Sequence, residues 1–501
     1  MPIRICLFLW AICLSVPAMA YWQRAESEHY VVHADIGSTD LSNLVQRLED
    51  HNRMLRQILP LEIVPGRKLE LYLTPNYNRI SRIYGFSVSG LSTYSPDAAI
   101  SFARLDLTDE LDVRYTAPFF YAAGFHFEQA FQQPVPPWLW SGFSSFLATA
   151  YPLDNGQFAL GARDPRRPSG APVDLATLER VLTYKKSPET QARFNRFYDV
   201  SREVAAVVLF DPRYAGAIER HVAAYVSGAT MEETASALGD LQALQETVAK
   251  AQRLTRPNIR VITLEPATPA EFTHRPMSSE EIALIDARFK RHYPRHRAAN
   301  SRDLRKLTER FASSALVWFE YAANEFARVQ NSEFGRDPLF RGFGFANGEL
   351  IVTANRYPDA EAWRAVNRAL AIDPDMTEAR RLRAEILLNR LVREGDTADA
   401  AGYDEVRQML APLARDPRSQ PLAAALYHQS YIEQGLVPTE EAFEQLREAF
   451  RANASVADLR YAYATALSRR GEKGAARGLL ISMLNDPAFQ AAAVRALEVT
   501  Q

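Results

Sequence analysis

The hydrophobic pattern of this 501-residue chain changes period once, and that change limits its fold more than any other feature. Up to residue 103 the apolar residues fall in short extended stretches. His29-Tyr30-Val31-Val32-His33 alternates, KLELYL (residues 68–73) reads as a second strand, and residues 91–103 continue the extended pattern around Ala98-Ala99-Ile100-Ser101-Phe102. One helix interrupts them at residues 40–59, with Leu41, Leu44, Val45, Leu48, Leu55 and Ile58 at helical spacing behind Asp40 as a cap candidate. From Ala117 onward the period is helical almost throughout. A small α+β layer followed by an all-α part is therefore expected, and the length suits two to four units.

In the helical part, residues 118–133 and 137–151 form a pair broken by Gln132-Gln133-Pro134-Val135-Pro136. Residues 165–172 are loop-like, and helices follow at 197–210, 215–226, 231–238 and 240–254. A proline-punctuated connector spans about 255–276 and contains a strand, Ile259 to Leu264. Farther on, AEAWRAVNRALAIDP is followed by MTEARRLRAEILLNRL, and EAFEQLREAFRA by VADLRYAYATAL. Helix pairs with alanine at the crossing points recur every thirty to forty residues, the period of stacked hairpins that bury one another's faces. The segment resembles tetratricopeptide repeats, most clearly at Ala369-Leu370-x-x-Asp373-Pro374 and Leu484-x-Asp486-Pro487. About three and a half units fit between Ser313 and Gln501, the first interrupted by an insertion near 331–357.

The first twenty residues carry Arg4, an apolar run and Ala18-Met19-Ala20, the layout of a secretory signal cut before Tyr21. Both cysteines, Cys6 and Cys13, lie inside it, so the mature chain would hold no thiol for a disulfide. No later stretch has the length of apolar sequence that spans a bilayer. A periplasmic or secreted protein without a stable membrane span after signal cleavage is expected. The formal charge of −2 and the absence of a basic block argue against a nucleic-acid partner. These readings divide the chain into a signal at 1–20, a front domain at 21–254, a connector with a helix at 255–312 and helical repeats at 313–501.

The stretch most suggestive of chemistry is PPWLWSGFSSFLATA, residues 136–150. With the Pro136-Pro137 lead, Trp138, Gly142, Phe143 and Phe146, it resembles the second half of the zinc site in gluzincin-type peptidases, specifically exported peptidase-MA-like proteins that carry a tetratricopeptide tail. That resemblance implies a gluzincin-like α+β fold. In such a site two histidines at i and i+4 hold zinc, a glutamate between them activates water, and a glutamate on the next helix completes the ligands. Here Ser141 and Ser145 occupy the two glutamate positions. The preceding helix offers only His126 and Glu128, with Ala122 and Ala130 where a second histidine would stand. One imidazole with hydroxyls is a very poor zinc site, so neither catalytic residues, metal nor cofactor is expected.

Two readings of this helix pair follow. The old cleft has become packed core, or it persists as an apolar groove gripping a ligand through Phe120, Gly124, His126, Phe127, Glu128, Trp138, Ser141 and Ser145. The functional expectation is a non-catalytic pseudo-peptidase that binds a protein or peptide through its helical repeats. An active metal-dependent hydrolase with a non-standard site and a purely structural envelope assembly protein are the alternatives. Gly85 and Gly90 shape a turn without the lysine of a phosphate loop, and His29 and His33 share a strand face without a third ligand. His292 and His296 are separated by Pro294, and the basic run 288–297 reads as a solvated face.

Overall fold

The structure, a computed structural model, describes residues 22–58, 67–84, 90–105, 117–131, 133–153, 156–161, 172–184, 191–254, 259–266, 268–333, 345–346, 349–350, 359–395, 398–486 and 489–499. The expected signal, the loop at 165–172 up to residue 171, Gly85 and most of the insertion near 331–357 lie outside these residues.

The front of the molecule begins with β1 (Trp22–Glu26), β2 (Tyr30–Asp35), α1 (Ser38–Ile58), β3 (Leu69–Thr74), α2 (Tyr77–Tyr84), β4 (Gly90–Ser95) and β5 (Ala98–Arg104). The strands lie in the order β4-β5-β3-β2-β1, with β2, β3 and β5 parallel and the outer pairs antiparallel. Alternation sends Leu69, Leu71 and Leu73 to one face, beneath Leu41, Leu44, Val45 and Leu48 of α1, and Tyr72 to the other, beside Ile80 and Ile83 of α2. Helix α1 starts at Ser38, so Asp40 is not its cap; it sits in the first turn, where a carboxylate suits the helix dipole.

A helical layer follows: α3 (Ala117–Phe131), α4 (Pro137–Leu147), a two-strand ribbon β6 (Tyr151–Pro152) and β7 (Gln157–Leu160), then α5 (Leu175–Leu182), α6 (Gln191–Phe210), α7 (Ala217–Val226), α8 (Met231–Ser236) and α9 (Leu241–Arg253). β8 (Arg260–Thr263) pairs antiparallel with β7. The connecting segment then returns to the first sheet. β9 (Thr273–Pro276) pairs with β1 and makes a six-stranded sheet. α10 (Ser279–His292) lays Ile285 and Phe289 against Tyr72 and Phe102.

The basic run 288–297 is not a solvated face. Arg288 bonds the carboxylates of Glu70 and Glu320 at 3.1 and 2.9 Å and also contacts the Tyr72 hydroxyl, while Arg291 takes the other oxygen of Glu320 at 3.0 Å. Arg297, buried, donates to the carbonyls of Arg291 and Ala327, and Arg295 to that of Ile83. A buried guanidinium is tolerable only with such partners, and these come from β3, α2 and the next helices.

The rest is mainly helical: α11 (Arg297–Arg310), α12 (Ala315–Glu333), a minimal hairpin β10 (Phe345–Ala346) and β11 (Glu349–Leu350), then α13 (Ala360–Ile372), α14 (Thr377–Glu394), α15 (Ala400–Ala414), α16 (Pro421–Glu433), α17 (Glu440–Ala452), α18 (Ala457–Arg469), α19 (Lys473–Ile481) and α20 (Gln490–Val499). Ala362, Ala365, Ala369 and Ala379, and later Ala423, Ala424, Ala442 and Ala449, are buried where consecutive helices meet. Among the described residues no helix is long and apolar enough to cross a membrane.

This part closes back on the front. Glu128 of α3 faces Ser455, between α17 and α18. At the far end the Asn485 amide donates to the carbonyls of Tyr225 and Ala229 at 3.3 and 3.0 Å, and Ile481 and Leu484 press on Gly228. The last third of the helical part thus meets the front at two places, Ser455 and Asn485.

Candidate functional site

The helix pair singled out by the sequence lies at the centre of the front. Helix α4 starts at Pro137, whose missing N–H costs nothing at the first helical position. It is pinched between α3 and α6 at two glycines. A Cβ on Gly124 would stand 2.6 Å from the Trp140 ring and 2.7 Å from the Ser144 hydroxyl, and one on Gly142 would stand 2.3 Å from the Ser201 carbonyl oxygen. Both glycines therefore serve close helix approach.

Side chains fill the space between the helices. Phe127 and Phe143 are fully buried with ring centroids 4.4 Å apart. Trp138, also fully buried, donates its indole N–H to His221 Nε2 at 2.9 Å, while His221 Nδ1 donates to the Thr234 carbonyl at 2.6 Å. That fixes a neutral imidazole, and burial holds its pKa down at about 4. Phe120, half-buried, packs edge-on against Trp140 and beside Tyr198.

Ser141 and Ser145, each 1% exposed, point into this packed layer, and their hydroxyls find no hydrogen-bond partner among the described residues. Ser144, by contrast, bonds the Trp140 carbonyl at 2.7 Å, the usual outlet for a helical serine. The two glutamate positions of the peptidase pattern thus coincide with places where a carboxylate has neither water nor a counter-ion.

His126 is turned toward the sheet. Its Nε2 accepts from the Tyr30 hydroxyl at 2.8 Å, and Nδ1 faces Gln129 Oε1 at 3.3 Å, so both nitrogens are engaged. Burial, then the neighbouring His29, push its pKa down to about 3. His29 itself bonds Glu49 at 2.7 Å and accepts from Arg56 at 2.8 Å. His33 bonds Glu70 at 2.7 Å and stacks on Tyr72. Among the described residues no group of three or more His, Cys, Asp or Glu is placed to hold a metal ion.

Glu128 stands apart from the seven other candidates. It is half-buried on the surface of α3 that meets the helical part, and burial pushes its carboxyl up to about 8 despite the facing Ser455 and the charge of Arg67. Arg67, Tyr94 and Asp97 lie around the same junction, Asp97 held low against burial by His292, Arg291 and Arg381. The structure therefore does not gather the eight candidates into one open groove: Phe127, Trp138, Ser141 and Ser145 are core, His126 faces β2, and Glu128 faces the helical part.

An open cleft lies on the other side of α4, where Phe146 alone belongs to the pattern the sequence singled out. It measures about 420 Å3 and runs between Phe146 of α4, Thr149 just after it, the end of α6, helix α9 and the start of β8. Its charged residues are far apart in sequence and individually ordinary, so no motif announces them. No family model, curated protein or solved structure matches this chain.

Proposed function

We propose that this protein is an exported, non-catalytic relative of gluzincin-type peptidases, whose tetratricopeptide-like helical part binds another protein. The observation that supports this reading most directly is the filled helix pair. The helices that hold zinc and water in a peptidase here hold Phe127 against Phe143, a buried Trp138 and two unpartnered serine hydroxyls. The single histidine between residues 117 and 147 has both nitrogens occupied, and the single carboxylate, Glu128, faces Ser455. Zinc hydrolysis needs at least three protein ligands and an open position for water.

With the helical part held to the front at Ser455 and Asn485, a partner would meet its outward-facing turns. Val437, 89% exposed beside Leu436 between α16 and α17, is one such apolar point. The test is the metal content of residues 21–501 purified without chelator, together with photo-crosslinking from Val437 in the envelope fraction. A metal-free folded protein that crosslinks to one partner from Val437 is expected. One zinc per chain that disappears in His126→Ala would overturn the reading.

A further inference from the structure

The cleft beside α4 has an apolar floor and a cationic rim, and its ion pairing is incomplete. Phe146, Val207, Phe210 and Leu254 supply the floor. Six charged side chains line it: Arg202, Glu203, Asp211, Arg213, Lys250 and Arg260. Two arginines are already matched to the two acids, since Arg213 pairs with Asp211 and Arg202 bonds Glu203 at 2.9 Å. Among the described residues the remaining cations have no carboxylate partner. Arg260 lies over the Phe210 ring at 5.4 Å and reaches only the Phe210 carbonyl at 3.5 Å, and Lys250 is exposed with no counter-ion among the described residues. Leu254, 39% exposed at the end of the same helix as Lys250, continues the apolar surface to the rim.

We infer that this cleft is a binding site for a small amphipathic anion, an aliphatic or aromatic body ending in one carboxylate. Its volume falls in the range of sites for small organic ligands, which pair an apolar lining with a few convergent polar groups. The body would rest on Phe146, Val207 and Phe210. The head would replace the missing carboxylate between Lys250 and Arg260, where a charge-assisted hydrogen bond is strongest on a partly desolvated rim. A neutral head would leave both cations unmatched. A body-less anion would gain only the exposed electrostatic term, which is small. The inference is independent of the helix-pair reading, because Phe146 is the one cleft residue of the peptidase-like pattern and the cations that would select the ligand, Lys250 and Arg260, lie outside it.

The test is calorimetric titration of the full mature chain with decanoate, decanol and acetate. Decanoate should bind at one per chain, at least about tenfold tighter than decanol, with acetate not saturating; tenfold corresponds to about 1.4 kcal/mol. The double variant Lys250→Gln/Arg260→Gln alters exposed side chains and should fold. It should lose at least tenfold for decanoate and little for decanol. Ala206→Phe, which fills the floor, should abolish binding of both. Lys473→Gln, on a distant exposed cation, should change nothing. Equal affinity for decanoate and decanol, an unchanged double variant, or an equal loss in Lys473→Gln would overturn the inference.

Discussion

At residue scale the buried serines decide how the front should respond to change. Because Ser141 and Ser145 bury hydroxyls without partners, Ser→Ala at either position should leave stability unchanged or raise it by up to about 1 kcal/mol. Restoring the peptidase pattern should do the opposite. Ser141→Glu places a carboxylate at a site 1% exposed and should destabilise by roughly 3 kcal/mol or more, without conferring zinc binding. Urea midpoints of the two variants check this; a stable, zinc-loaded Ser141→Glu protein would sink the account. The histidines set the acid limit. His51, His221 and His428 are held down to about 4 by burial, and His126 to about 3. Unfolded, each takes a proton near pH 6.5, so the unfolded state binds more protons as pH falls from there. Stability should therefore drop from pH 7 to pH 5 by roughly 1–2 kcal/mol for each histidine. Unfolding free energies that stay level across that window would contradict it. Glu128, raised to about 8, acts with the other sign: its contribution is present at low pH and is lost as pH rises through that value, a loss Glu128→Gln should remove.

At the scale of elements, the join between sheet and helices rests on one acid. Glu320 is 2% exposed and takes both Arg288 and Arg291. Burial alone would raise the carboxyl of neighbouring Glu70, but Arg288, His33 and Tyr72 hold it well below the usual range. Glu320→Ala leaves two guanidinium groups half-matched in a dry place and should cost about 3–5 kcal/mol, read as a lowered melting temperature with earlier exposure of α12 to hydrogen exchange. A melting curve like that of the parent protein would show that water or neighbouring acids take over the pairing.

This scale also shows what the sequence made legible. Helix α1 carries a strong periodic signal because it buries one face, and strands β2, β3 and β5 read as apolar runs because both of their faces are largely covered. Helix α2 escaped because eight residues, with Ile80 and Ile83 the buried apolar ones among the described side chains, make too short a pattern. Strand β9 escaped because all four of its residues, Thr273-His274-Arg275-Pro276, are exposed, and its backbone pairing with β1 leaves no hydrophobic trace. The run 288–297 looked solvated because the acids that neutralise it, Glu70 and Glu320, lie far away in sequence. At the helix pair the absence of a second histidine and of the two glutamates could be read directly. That the space between these helices is filled could not, because the packing depends on Ser201 of α6 lying across from Gly142.

At the scale of the whole molecule, the contact at Asn485 should hold the arrangement rather than the fold. Asn485→Ala removes two hydrogen bonds to α7 and the turn after it. It should cost only about 1–2 kcal/mol globally. Proteolysis within residues 473–499 should nevertheless accelerate clearly, since that end would open by local unfolding. Unchanged digestion would mean that Ile481 and Leu484 against Gly228 suffice. The late pairing of β9 with β1 has a different consequence, one of timing. A ribosome makes the first strand of the sheet at the outset and its edge partner only about 250 residues later, a wait of roughly 10–50 s at ordinary elongation rates. Throughout it β1 presents an open row of backbone donors and acceptors to any neighbouring chain, so chaperone capture during synthesis should be strongest before Thr273 emerges and fade once it has paired.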